Sequence, residues 1–270
     1  MSDQQTDSKD KPQHGERPKG RPMPGTAGSG TSEVDLNEYG GAKDGVRQEM
    51  NRRLFMQLLA FRCPTGMDTQ ATIELLGTRL KERSMGSVIY EDLGDMHGLA
   101  LLTWSEEPDD FVSIVRSVLR EEPFNQLAST PEYSMLGRTY STGYEPDLEF
   151  WIIDRPKQNV TEEKNKWAVW YPLKRTGDFN RLPGREQGGI LREHAVIGRA
   201  YGEKGLASDV RLACHGLDKN DNDFIIGLIG KDLYPLSHVV QAMRKTRQTS
   251  EFMDRMGPFF VGRVAWQWKP

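Results

Sequence analysis

RRLFMQLLAFRC (52–63) reads as a strand, and MDTQATIELLGTRLKERS (67–84) brings its apolar residues round at helical spacing. SVIYEDL (87–93) and GLALLTW (98–104) predict two strands joined by a GDMH turn. EPDDFVSIVRSVLREEPFNQL (107–127) predicts a second helix whose acidic start suits the helix dipole, and YSMLGRTYS (133–141) closes as a strand. The order is βαββαβ, and it returns. KWAVWYPLK (166–174) predicts a strand, LPGREQGGILREHAVIGRAY (182–201) a helix, and VRLACHG (210–216) and DFIIGLIG (223–230) two strands around LDKNDN. PLSHVVQAMRKTRQTSEFMDRM (235–256) then predicts one helix and FFVGRVAWQW (259–268) a final strand. A repeat of this length implies a duplicated domain, here two tandem ferredoxin-like units of the α+β class. Each sheet would carry helices on one face and cover the other sheet with the second.

The halves are assigned to residues 46–143 and 165–270, with a linker over 144–164 that contains one short apolar helix or turn. Residues 1–45 are polar and rich in Gly and Pro; too little apolar surface is available to offset their ordering entropy, so a disordered tail is expected. The formal net charge of −3 gives no strong attraction to nucleic acid or anionic lipid. Cys63 and Cys214 form no CxxC pair, which points to two buried free thiols in a reducing compartment rather than a zinc ribbon or a redox dithiol. No apolar run is long enough for a membrane span, and the first 30 residues hold no apolar signal region; a cytoplasmic protein is expected.

The candidate chemistry is sparse. Asp218, Asn220 and Asn222 alternate as in a calcium loop, but Asp223 and Ile229 stand where such a loop needs Gly and Glu, so a polar hairpin turn is expected. His14, His97, His215 and His238 lack metal-ligand spacing. His194 differs, because Ile190, His194, Ile197 and Tyr201 fall on one side of the 182–201 helix. A histidine on an apolar stripe is either a satisfied core residue or a single ligand of the kind haem iron takes. In WAVWYPLKRTG (167–177), Trp167, Val169, Tyr171, Leu173 and Arg175 share one strand face. A phenol beside a cation there is either an ordinary strand edge or a site for a carboxylate-bearing ligand.

WAVWYPLKR, the histidine of REHAVIGR 23 residues after Tyr171, HGLD, and GPFFVGR at 257–263 together resemble the chlorite dismutase family, and within it the coproheme decarboxylase branch, over about residues 46–268. The resemblance implies a chlorite dismutase-like dimeric α/β barrel that assembles as a homo-oligomer, most often a ring of five. It implies haem or iron-coproporphyrin III as cofactor and substrate, hydrogen peroxide as co-substrate, and oxidative decarboxylation of propionates to haem b late in haem biosynthesis. By the same resemblance His194 is the iron ligand and Tyr171 the residue that becomes a radical. Arg175 contacts a propionate, Lys174 shares that task, and Ser250 touches another propionate. The distal arginine of true chlorite dismutases would fall at Ala207; counting back from Gly216 places Asp209 there instead, with Arg211 on the same strand face. The carboxylate behind the proximal histidine has no clear match near Gln241 and Ala242. A haem b peroxidase, a weak chlorite-degrading enzyme and a non-catalytic haem-binding module are the alternatives.

Overall fold

The structure, a computed structural model, describes residues 34–270, so most of the expected tail lies outside the described residues. The tail expectation fails at its C-terminal end. Strand β1 (Glu38–Lys43) pairs antiparallel with β2 (Val46–Met50). Asp44 and Gly45 turn the chain with φ of 53° and 80°, the left-handed pair that a two-residue hairpin loop requires. Polar contacts anchor this hairpin beside the packing of Met50 on the core: Gly41 N–H donates to the Glu145 carbonyl at 2.9 Å, and the Gln48 amide donates to the Gly41 and Glu145 carbonyls.

The first half follows the predicted order. β3 (Phe55–Arg62) leads to α1 (Thr69–Glu82), capped by Asp68, whose carboxylate accepts from Ala71 N–H at 3.0 Å. β4 (Ser87–Asp92) and β5 (Gly98–Ser105) follow. The single helix expected over 107–127 is broken into a π-helical turn (Phe111–Val115), the short α2 (Arg116–Leu119) and a 3-10 turn (Phe124–Gln126). Pro123 lacks the N–H that a continuing helix needs. β6 (Ala128–Ser129) and β7 (Met135–Arg138) close the half, and the lateral order is β7–β3–β5–β4, antiparallel throughout.

The linker forms a π-helical turn (Phe150–Asp154) and α3 (Arg155–Thr161). β8 (Trp167–Arg175), α4 (Gly177–Arg181), α5 (Gly184–Glu203), β9 (Ser208–Ala213) and β10 (Phe224–Gly230) come next. The helix expected over 235–256 is two helices, α6 (Leu233–Met243) and α7 (Arg247–Phe252), followed by edge strand β11 (Met253–Met256). The break falls at Thr246, which has extended backbone and caps α7. β12 (Phe260–Trp268) ends the chain, with lateral order β12–β8–β10–β9.

Pairings of β4 with β12 and of β7 with β9 join the halves, so eight antiparallel strands close on themselves. Side-chain alternation then separates inside from outside. Met56, Leu58, Tyr90, Leu102, Trp170, Leu212, Ile225 and Phe260 form the inner core. Closure demands tight packing there: a Cβ on Gly227 would stand 2.6 Å from the Trp170 ring. Outside, α1 buries Ile73, Leu76 and Leu80 against β4 and β5. On the second half, β8 and β10 present Val169, Tyr171, Leu173 and Leu228 to α5 and α6. The two helical covers are unequal. Of the 20 residues of α5, only Ile190 is buried, although its apolar stripe faces this sheet.

Candidate functional site

The outer face of the second half gathers several strongly perturbed titratable groups, and strand register sets their spacing. Ile226 on β10 is paired with Tyr171 on one side and with Arg211 on the other. The phenol and the guanidinium therefore rise from one rung, two strand spacings or about 10 Å apart. On the neighbouring outward rung, Leu228 lies between Val169 and Asp209. Arg175 shares the outward face of β8 by alternation. Lys174 has the opposite orientation and pairs with Asp221 of the β9–β10 turn, so the structure does not bring it to Tyr171.

Tyr171 is 6 % exposed and stacks on Phe259 with ring centroids 4.5 Å apart. Burial raises its hydroxyl above the ordinary phenol range, so the ring is neutral at physiological pH. Arg175 is sandwiched between Phe179 and Phe224, each 4.7 Å from the guanidinium carbon. Its backbone N–H donates to Asp223 Oδ2 at 2.8 Å, but Nε is buried without a partner. Burial lowers its affinity for the proton, opposed by Tyr140 and Asp223. Nearby, Thr176 Oγ1 and Gln248 Oε1 are buried and unpartnered as well. A buried cation with an unused donor is costly unless an anion meets it, and a carboxylate fits that requirement.

His194 projects from α5 toward these groups. Burial first, then the positive charges of Arg175 and Arg211, push its ring down to about 4, so it is a neutral donor with a lone pair available. Its Nδ1 lies 3.4 Å from Thr246 Oγ1. The anionic group of the site is Asp209. Arg155 holds its Oδ1 at 2.6 Å and Arg211 holds its Oδ2 at 3.0 Å. Burial opposes the carboxylate's charge, but the two guanidinium groups outweigh it and keep Asp209 below the ordinary carboxylate range. Ala207, the other candidate for the same place, is buried in the apolar cluster. Ser250 is exposed on α7 and donates to the Thr246 carbonyl at 2.9 Å, a bond internal to its own helix.

Three participants escaped the sequence reading. Tyr140, just past β7, packs on Phe224 at 5.6 Å, and burial raises its hydroxyl while Arg211 and Arg175 oppose the rise. Its place on the outward face follows from alternation with Arg138. Arg155 comes from the linker, where no local pattern marks it. Thr246 was hidden inside a segment read as one continuous helix, though a threonine that can cap is a signal for a break. Elsewhere, two clefts of about 490 Å³ each lie beside Trp104, Glu106 and Lys157 and beside Lys81, Trp266 and Trp268. Among the described residues no cluster of His, Cys, Asp and Glu suits a metal ion, both cysteines are free and buried, and no helix is long and apolar enough to cross a membrane. The 218–223 turn is closed by Asp218, which accepts from Asn222 N–H at 2.9 Å, as a polar hairpin turn should be.

Comparison with known proteins adds to this geometry. A family model described as chlorite dismutase matches residues 69–265. A heme-binding protein from Thermus thermophilus superposes with a TM-score of 0.61 at 21 % identity, covering 79 % of this chain and 91 % of that one. A putative chlorite dismutase gives 0.62 at 14 % identity, covering 79 % and 95 %. A mutant chlorite dismutase from Candidatus Nitrospira defluvii gives 0.59 at 16 % identity, covering 78 % and 91 %. No curated protein matches the chain in sequence.

Proposed function

The chain belongs to the chlorite dismutase family, and from that premise we propose that it catalyses the hydrogen peroxide-dependent oxidative decarboxylation of iron-coproporphyrin III to haem b. The observation that carries this reading is the buried, partnerless Nε of Arg175 on the same strand face as Tyr171 and beside His194. A neutral imidazole, a neutral phenol and a cation in want of a carboxylate together fit a porphyrin that bears propionates. His194 would hold the iron through Nε2, Arg175 would hold one propionate, and Arg211 and Tyr140 line the same face. Lys174 points to the opposite strand face, where it pairs with Asp221, and Ser250 commits its only hydroxyl proton to the Thr246 carbonyl, so both are secondary in this reading.

Hydrogen peroxide supplies the two oxidising equivalents of each event, and the iron of the bound substrate would relay them to the phenol. The chain's own contribution is placement. Tyr171, neutral and buried against Phe259, gives up its phenolic hydrogen and retakes one from the β-carbon of the propionate that Arg175 immobilises. The propionate then loses one more electron and carbon dioxide, leaving a vinyl group. Each event consumes one propionate, one peroxide and one proton and yields one vinyl group, one carbon dioxide and two waters. Asp209 is tied at both oxygens and stays ionised, so it is a poor proton shuttle. Arg211 is engaged with it, which disfavours peroxidase or chlorite chemistry as the main activity. The duplicated pairing order supports reading each half as a ferredoxin-like unit. A homopentameric assembly working in the cytoplasm, late in haem biosynthesis, belongs to the same proposal.

The test is mass spectrometry of the coproheme-loaded protein during peroxide titration. Two successive losses of carbon dioxide are expected, and Tyr171→Phe should bind coproheme yet form almost no haem b. Normal turnover by that variant would remove Tyr171 from the mechanism. Oxygen release from chlorite without carbon dioxide loss would favour a chlorite-degrading enzyme, and haem binding without either reaction would favour a non-catalytic haem-binding module.

A further inference from the structure

His194 and its neighbour are gripped by two consecutive residues at the start of α7. The Thr246 hydroxyl lies 3.4 Å from His194 Nδ1, and Arg247 N–H donates to the Glu193 carboxylate at 3.1 Å. The Arg247 guanidinium also reaches Glu186, one helical segment earlier on α5, at 3.4 Å. These contacts stand out because Ile190 is the only buried residue of α5.

The hydroxyl fixes more than position. Thr246 is 1 % exposed, and its Oγ1 lies 2.8 Å from the Met243 carbonyl, which can only accept. The single hydroxyl proton is therefore committed to that carbonyl; the alternative acceptor, Thr249 Oγ1, is farther away at 3.4 Å. Toward His194 the oxygen can then only accept. The contact is a hydrogen bond only if the imidazole carries its proton on Nδ1, and that tautomer leaves the lone pair on Nε2. We propose that Thr246 is the positioning residue of the iron-ligating histidine: an uncharged, weakly accepting hydroxyl, delivered by the break between α6 and α7, selects the Nδ1–H tautomer and leaves Nε2 as a moderate donor. This rests on the reading of His194 as an iron ligand. An uncharged acceptor at this range cannot draw the Nδ1 proton as a carboxylate does, so the imidazole gains little anionic character and the bound iron stays easy to reduce.

The tests use the full chain, first without and then with iron porphyrin. In the porphyrin-free protein, 15N NMR of the imidazole should show His194 as the Nδ1–H tautomer; Thr246→Val should shift it toward a mixture, and Thr246→Ser should restore it. With haem b bound, Thr246→Val should weaken binding about tenfold, the lower end expected for loss of an outer partner. Thr246→Asp should raise the iron–histidine stretching frequency in resonance Raman and lower the reduction potential. If Thr246→Val does not fold, Thr246→Ser against Thr246→Asp still decides, because both keep a side-chain oxygen within reach of His194 Nδ1. An Nε2–H tautomer in the wild type, or an unchanged stretching frequency in Thr246→Asp, overturns the inference. A His194→Ala protein with an unaltered iron spectrum overturns the ligand reading itself, so the two failures are distinct.

Discussion

Burial and the guanidinium groups of Arg175 and Arg211 push His194 down to about 4, whereas a histidine in an unfolded chain titrates near ~6.5. Between those values the unfolded chain holds the proton and the folded chain does not, so stability rises with pH across this window. The contribution is complete above about 6.5 and is lost as the pH falls toward about 4. The ring is half-buried, so solvent screening reduces the full linkage value to about 2 kcal/mol. Denaturant midpoints at pH 7 and pH 4.5 check this: the drop in the wild type should shrink in His194→Leu, and an equal drop in both would assign it to other groups. At this scale the sequence was informative wherever a side chain's direction follows from its own element. Alternation along β8 put Tyr171 and Arg175 together and, taken strictly, sends Lys174 to the other face, where Asp221 holds it. It was silent on partners. Thr246 reaches His194 from 52 residues away, and Arg155 reaches Asp209 from 54, and no local spacing encodes either meeting.

The elements themselves show which signals survive tertiary context. Strands β3, β4, β5, β8, β10 and β12 and helices α1 and α5 appear where their hydrophobic pattern places them: the strands and α1 bury apolar side chains in the barrel and under its helical cover, and α5 carries Ile190, Ile197 and Tyr201 on one side although only Ile190 is buried. Periodicity misled where a helical pattern was interrupted by a residue with its own local preference, Pro123 after α2 and Thr246 before α7. It missed β1 and β2, whose attachment is largely polar; the Asp44-Gly45 dipeptide was the available signal, since both residues adopt positive φ. The inner barrel offers a test of how tightly elements constrain one another. Trp170 on β8 occupies the space a side chain on β10 would need, and a Cβ on Gly227 would come within 2.6 Å of its ring. Gly227→Ala must displace the largest fully buried side chain or bend β10 away from β8. A loss of about 1–3 kcal/mol in chemical denaturation is expected. Gly188→Ala, in open space on α5, is the control and should be neutral or mildly stabilising. Equal effects at the two positions would mean that the barrel interior yields more readily than its packing implies.

Across the whole molecule the two halves repeat one pattern of pairings but differ in how their helices sit. In the first half α1 buries five residues against the sheet; in the second, the longer α5 buries one. The less buried cover of the second half is where the proposed porphyrin would bind, and Arg175, whose buried Nε has no hydrogen-bond partner, lies on that side. The asymmetry predicts where ligand binding should be felt. A ligand that binds only the folded chain adds RT ln(1 + [L]/Kd), about 2.7 kcal/mol at a hundredfold excess over Kd. For a chain of this size that corresponds to a rise in Tm of roughly 5–10 °C. Hydrogen exchange should distribute the gain unevenly: amides of α5 and α7 should slow strongly when iron-coproporphyrin III is added, while those of α1 should slow only as far as global stability carries them. The reason is that α1 buries five residues in its core and opens only with it, whereas α5 is held by buried Ile190, the half-buried Ile197 and Tyr201, a few ion pairs and the Thr246 contact, so a ligand bound through His194 would add proportionally more to it. Protection that rises equally in α1 and α5, with no excess in the second half, would mean that the porphyrin does not lie between α5 and the outer face of β8, and the assignment of His194, Tyr171 and Arg175 to one site would fall with it.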